Sequence, residues 1–215
     1  MFNQPNRRMS PIYLLPSLFT LGAMCSGFFA IFESLIHHFD HCAQLIFLAM
    51  IFDSLDGRVA RLTHTSSPFG AELDSLSDMV SFGIAPAIII YNWNLHNLGK
   101  MGGVVVFVYA ACCALRLARF NTMLNLVDKR YFQGLPSTAA APFVVGYVWI
   151  CNRYGFDSNM FIILGALVTI FAALSMVSNV KFYSFKEFNF HHRAKFKVLL
   201  LSFLIIVFLV LFLEY

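Results

Sequence analysis

D-S-L-D-G-R-V-A-R-L-T-H-T-S-S-P-F-G-A-E-L-D-S-L-S-D, from Asp53 to Asp78, holds five of the chain's 11 acidic residues, four of them aspartates at fixed spacings. Asp53 and Asp56 are three apart; Asp74 and Asp78 are four apart. On a helix either spacing stacks two carboxylates on one face. Ser66-Ser67-Pro68 between the pairs reads as a short turn, so the two helices are expected to be antiparallel neighbours with their four carboxylates converging. Like charges brought together in a medium of low dielectric constant repel strongly, and something positive must offset them. Ligands that are all oxygen, without His or Cys, suit Mg²⁺, Mn²⁺ or Ca²⁺. A pair of such ions can clamp the attacking and leaving oxygens of phosphoryl transfer.

The sequence on either side explains where these charges sit. The chain has 215 residues, 59% hydrophobic and only 12% charged, with 25 phenylalanines; a soluble domain carries about twice that charge. Its apolar residues fall into blocks of near-bilayer length, which points to a helical membrane protein. A closed barrel needs alternating segments of roughly ten residues, which are absent. Seven helices are predicted, at 14–36, 42–63, 70–92, 102–121, 138–153, 159–178 and 197–214. The expected fold class is therefore an all-α, polytopic transmembrane bundle. The second and third helices each join an apolar half to a charged half. Pro86 and Pro142 are expected to kink their helices, which membrane bundles tolerate.

Basic residues give the orientation. With a cytoplasmic N-terminus, all but Lys100 and Arg153 of the 15 Lys and Arg fall on the cytoplasmic side. Residues 53–78, 116–137 and 179–197 then share one membrane face, and scattered charges become one site facing the cytosol. Residues 1–13, with Arg7 and Arg8, read as an interfacial or disordered segment ahead of a retained first helix. Residues 14–187 read as the membrane domain, and 188–215 as a basic linker with a last helix. Cys25, Cys42, Cys112, Cys113 and Cys151 have no metal-type spacing and read as small buried hydrophobes. His37, His38 and His41 read as a solvated loop at the opposite face.

Other residues near the acidic pairs fit a phosphate ligand. Gly57, Ala60 and Gly70 permit close helix approach, or equally leave room for a ligand against the backbone. Arg61, two helical turns beyond Asp53, is placed to grip a phosphate oxygen bidentately. Arg116 and Arg119 share a helix face with Asn121 close by, and read as a cation site for a carboxylate or a lipid phosphate. Intramembrane carboxylates alone would also fit a cation transporter, but that reading calls for polar residues spread across the bilayer, and here they gather at one edge.

The stretch Asp53, Asp56, Gly57, Ala60, Arg61, Gly70, Asp74 and Asp78 matches D-x2-D-G-x2-A-R-x8-G-x3-D-x3-D at all eight fixed positions. By this motif the chain resembles the CDP-alcohol phosphotransferase family. Tyr13–Gly22, Ser77–Pro86, Leu115–Asn121, Phe132–Ser137 and Met176–Lys186 further resemble its bacterial and archaeal phosphatidylserine synthase branch. The resemblance implies transfer of a phosphatidyl group from CDP-diacylglycerol to L-serine, releasing CMP. It implies metal ligation by Asp53, Asp56, Asp74 and Asp78, with Asp78 also the general base. Gly57, Ala60, Arg61 and Gly70 would wall the cytidine diphosphate, and Arg116, Arg119 and Asn121 are assigned to serine. It also implies two divalent ions, Mg²⁺ or Mn²⁺ with Ca²⁺ as an alternative, surrounding membrane lipids and a homodimer; no nucleic-acid partner is expected. The motif does not separate serine from glycerol 3-phosphate, inositol phosphate or choline as acceptor.

Overall fold

The computed structural model describes residues 14–63, 67–123, 131–178 and 181–183. The chain divides at Phe182/Tyr183, and the architecture below is that of the first unit. Helices α1 (Leu14–Leu35), α2 (Phe39–Leu62), α3 (Pro68–Asp78), α4 (Ala85–Trp93), α5 (Lys100–Met123), α6 (Ser137–Tyr154) and α7 (Asn159–Val177) follow one another along it. A π-helical turn, Met79–Ile84, fuses α3 and α4 into one rod. A two-stranded ribbon pairs β1 (Tyr131–Gln133) with β2 (Lys181–Tyr183). Six of the seven expected helices are thus present with ends within three residues of those predicted, the third as the fused rod; 197–214 lies outside the described residues.

Among the described residues, four helical segments are long and apolar enough to cross a membrane: Pro16–Leu35, Pro68–Trp93, Lys100–Thr122 and Asn159–Val177. The protein is an integral membrane protein. Helix α2 is not among the four because Asp53, Asp56, Arg58 and Arg61 occupy its second half. Helix α6 is shorter, 18 residues, and carries Asn152 and Arg153 in its last turn.

Inside the bundle, small residues allow helices to approach closely. Ala140 and Ala141 of α6 and Ala172 and Ala173 of α7 are fully buried, while Met160, Ile163, Leu164, Leu167, Phe171 and Leu174 of α7 face outward. This arrangement suits lipid as the solvent: large apolar side chains meet acyl chains and small ones meet neighbouring helices. Helix α1 packs along α2 and against the rod. At Gly27 the contact is backbone to backbone, since a Cβ there would lie 2.5 Å from the Ser81 Cα. The Ser77 and Ser81 hydroxyls donate to the Thr20 and Ala23 carbonyls of α1 at 2.9 and 3.0 Å. The rod is thereby fixed in rotation against α1.

The π turn has an identifiable cause. Pro86 lacks the N–H that an α-helix would offer to the carbonyl four residues back, that of Phe82. The Tyr109 hydroxyl of α5 donates to that carbonyl instead, at 3.0 Å, from a fully buried position. The sequence expectation of a distortion at Pro86 is met as a widened turn just before it, directly after Asp78. At the far end of the unit, Gly134 has φ of +83°, and a Cβ there would strike the Met176 carbonyl oxygen. Leu135 N–H donates to the Ser175 carbonyl at 2.9 Å. This close seat on the end of α7 fixes where α6 begins, and so where Ser137 lies.

Candidate active site

The acidic pairs sit on two helices joined by the turn after Leu62. Helix α2 stops at Thr63, whose N–H and hydroxyl both donate to the Val59 carbonyl, at 2.9 and 2.8 Å. Helix α3 starts on Ser67, extended in backbone, whose hydroxyl accepts from Gly70 N–H at 3.0 Å, and Pro68 occupies the first turn. Serine as cap and proline directly after it are favoured at a helix start, because the cap satisfies a free N–H and proline has none to leave unpaired. This start determines which face of α3 Asp74 and Asp78 occupy.

Asp53, Asp74 and Asp78 each offer one carboxylate oxygen, and the three oxygens lie within 4.8 Å of one another. Asp53 and Asp78 interact directly through their carboxylates. Asp56 adjoins the trio electrostatically but is not part of it. It is only 6% exposed and lies beside the Thr20 hydroxyl of α1, which itself donates to the Pro16 carbonyl at 3.1 Å. Its Oδ2 is buried with no hydrogen-bond partner among the described residues. The expected fourfold convergence is therefore three plus one. Asp53 and Asp56, three residues apart, point about 60° away from each other around the helix axis, which turns Asp56 toward α1.

Carboxylates this close need a positive counterpart, since buried unpaired charge is costly. An all-oxygen donor set with an orphaned carboxylate oxygen beside it fits a hard divalent cation. The structure thus holds an acidic cluster suited to metal. Among the described residues the protein supplies a cation of its own. Arg116 of α5 is half-buried and interacts with both Asp78 and Asp53. Its Nη1 donates to Ser137 Oγ at 2.9 Å, and Ser137 Oγ lies 3.5 Å from Asp78 Oδ2. Arg116 Nε is buried without a partner among the described residues. A guanidinium with a free N–H and a hydroxyl thus face the acidic cluster from two other helices.

The remaining predicted residues distribute unevenly. Asn121 Nδ2 donates to Ser75 Oγ at 3.0 Å, so it packs on α3 next to Asp74. Arg119 is half-buried, and its carbonyl accepts from the Thr122 hydroxyl at 2.9 Å. Arg61 is exposed at the end of α2 and Ala60 is half-buried. A Cβ built on Gly57 would meet nothing within 4 Å, whereas at Gly70 it would come within 3.3 Å of the capping Ser67 Oγ. Among the described residues Gly57 is therefore not a helix-contact glycine; it leaves open space one residue from Asp56. Ser137 and Ser75 carried no role in the sequence reading. The only signal for Ser137 was its position at the end of the Phe132–Ser137 stretch.

Residues 13–178 match the model of a family described as CDP-alcohol phosphatidyltransferase. The chain is 40% identical over 202 residues to the CDP-diacylglycerol–serine O-phosphatidyltransferase of Helicobacter pylori strain J99, covering 93% of this chain and 84% of that protein. A protein of the same name from Methanocaldococcus jannaschii is 44% identical over 139 residues, 65% of this chain and 62% of that one. One from Bacillus subtilis is 32% identical over 173 residues, 80% and 92% respectively.

Proposed function

The chain belongs to the CDP-alcohol phosphatidyltransferase family, and from that membership we propose the reaction it performs and the part each residue takes. It is a CDP-diacylglycerol–serine O-phosphatidyltransferase, moving the phosphatidyl group of CDP-diacylglycerol to the hydroxyl of L-serine with release of CMP. The observation that carries the residue roles is the meeting of Asp53, Asp74 and Asp78 within 4.8 Å, faced by Arg116.

Asp78 takes the proton of the serine hydroxyl. That hydroxyl is a weak acid and needs a placed base. The freed oxygen forms a bond to the phosphorus that bears diacylglycerol. The bond from that phosphorus to the bridging oxygen of the diphosphate breaks, and CMP leaves with the electron pair. Asp53, Asp56, Asp74 and Asp78 would hold the metal, two ions of Mg²⁺ or Mn²⁺. Bound there, divalent cations supply positive charge to the diphosphate and favour the ionised hydroxyl. Arg61 grips a phosphate oxygen, and Gly57 and Ala60 leave the cytidine diphosphate room beside α2. Arg116, with its unpaired Nε, receives the serine carboxylate, Ser137 holds Arg116 and Asp78 in register, and Asn121 borders the same space. Arg119 belongs to this serine group by its place on α5.

Support for the orientation comes from the basic residues, which place this site at the cytosolic face of the cytoplasmic membrane under the inside-positive rule. The catalytic part spans 14–187, followed by a basic linker and a further helix in 188–215, and the working assembly is a homodimer. The test is an assay of purified protein with CDP-diacylglycerol, a divalent metal and labelled acceptors. Phosphatidylserine and CMP should form in equal amounts with serine and metal present, and neither should form with metal chelated. Labelled product with glycerol 3-phosphate, inositol phosphate or choline, and none with serine, would refute the acceptor assignment.

A further inference from the structure

At the other end of the α1–α2 hairpin three side chains meet that the transfer reaction does not use. Glu33 lies near the end of α1, His38 immediately precedes α2, and His41 is in the first turn of α2. His38 Nδ1 and His41 Nδ1 lie 3.1 and 3.2 Å from the same oxygen, Glu33 Oε2. One ligand atom from each residue lies within 4.8 Å of the other two. The imidazole rings stand edge to face, centroids 5.4 Å apart with planes at 82°. Both nitrogens therefore reach one carboxylate oxygen without the ring faces stacking. The rings are exposed, and Glu33 is half-exposed.

The donor set differs in kind from the aspartate cluster. Two imidazole nitrogens and one carboxylate oxygen form a set used for zinc, with a fourth position left open, and for tetrahedral bonds of about 2.0 Å the ligand atoms stand roughly 3.3 Å apart. The two nitrogen–oxygen separations here are close to that edge length. Nitrogen-rich sets favour borderline transition metals over Mg²⁺ or Ca²⁺. His41 lies 12 residues before Asp53 on the same helix, so the two clusters are separated by about 18 Å along its axis.

We propose that Glu33, His38 and His41 form a binding site for a divalent transition-metal ion of the Zn²⁺ type, separate from the aspartate cluster. The ion ties the end of α1 to the start of α2. Because the three ligands converge only when the hairpin is folded, binding stabilises the helix that carries Asp53 and Asp56 by mass action.

The test uses full-length protein in detergent with Mg²⁺ in large excess, titrated with Zn²⁺ or Co²⁺. Thermal unfolding and the visible absorption of Co²⁺ are the two readouts. One equivalent should bind, with a rise in Tm and an absorption spectrum of nitrogen–oxygen tetrahedral type. In H38Q and in H41Q the affinity should fall more than about tenfold, the least expected when a ligand is removed, while turnover with Mg²⁺ stays as in the parent protein. D53N should keep the Zn²⁺ response. Three results overturn the proposal: unchanged Zn²⁺ binding in a folded H38Q/H41Q protein, binding lost in D53N and kept in H38Q, or no metal response at all. Absence of any Zn²⁺ or Co²⁺ response in the parent protein would reduce the trio to hydrogen bonds alone. Because H38Q alters an exposed residue outside the helix, it keeps the question open to measurement if H41Q fails to fold.

Discussion

Replacing Gly57 with alanine separates stability from activity. Among the described residues the added methyl has nothing to strike, since no atom beyond the helix's own backbone lies within 4 Å of the Cβ position. Position 57 is exposed and interior to α2. Alanine is favoured over glycine in a helix by about 0.8–1.0 kcal/mol, so G57A should unfold at the same temperature as the parent protein or a few degrees higher. If the cytidine diphosphate occupies this space, the methyl meets the ligand. Overpacking by one methyl costs about 1–3 kcal/mol, which at 1.36 kcal/mol per tenfold corresponds to roughly 5- to 150-fold in kcat/KM. The loss should fall mainly on KM for CDP-diacylglycerol, with KM for serine little changed. The assays are thermal unfolding in detergent and initial rates with each substrate varied. Parental kinetics in G57A would refute the assignment of this space to the donor lipid. A clear drop in Tm would refute the claim that the glycine is free of helix contacts.

Three further outcomes follow from the site and its supports. D78N should abolish turnover while CDP-diacylglycerol binding, measured directly on the purified protein, stays within a few-fold; residual activity near that of the parent removes Asp78 from the role of base. R116Q should raise the apparent KM for serine by about tenfold or more, the worth of one charge-assisted hydrogen bond, with KM for CDP-diacylglycerol much less affected; an unchanged serine KM sinks the carboxylate assignment. Y109F leaves the Phe82 carbonyl buried without its donor, at a cost of about 1–3 kcal/mol, so its Tm should fall by several degrees with the Co²⁺ response of the hairpin unaffected; an unchanged Tm would mean the π turn does not depend on this bond.

Much of the fold was legible because lipid imposes simple rules on sequence. Apolar blocks of span length had to be helices, and their ends matched the structure because Gly99, Gly155, Pro68 and the charged residues mark them. The eight-position motif located the acidic cluster for the same reason: spacings of three and four keep carboxylates on the same side of a helix. What stayed hidden depends on contacts between distant segments. The π turn needs both Pro86 and a tyrosine 23 residues further on, and nothing local to 79–84 announces it. Asp56 was grouped with its neighbour by spacing, yet it also meets the Thr20 hydroxyl of α1 while staying charge-coupled to Asp74. Ser137 sits between Arg116 and Asp78 only because Gly134 seats the preceding chain on the end of α7. None of these contacts can be read from the local sequence until the partner helix is in place.

The widened turn after Asp78 acts as a phase adjuster in the rod Pro68–Trp93. Each residue of an α-helix advances the chain by about 100°. The extra residue in the turn therefore sets the angle between the half that presents Asp74 and Asp78 and the half that buries Ile89, Ile90 and Trp93. Removing a single residue between 79 and 84 would restore a regular helix and swing those three out of the bundle, or else swing the carboxylates off their target. Chemistry at the membrane surface and anchorage within it are thus geared to each other through one turn, and the residue count across that turn is as constrained as any of the acidic side chains.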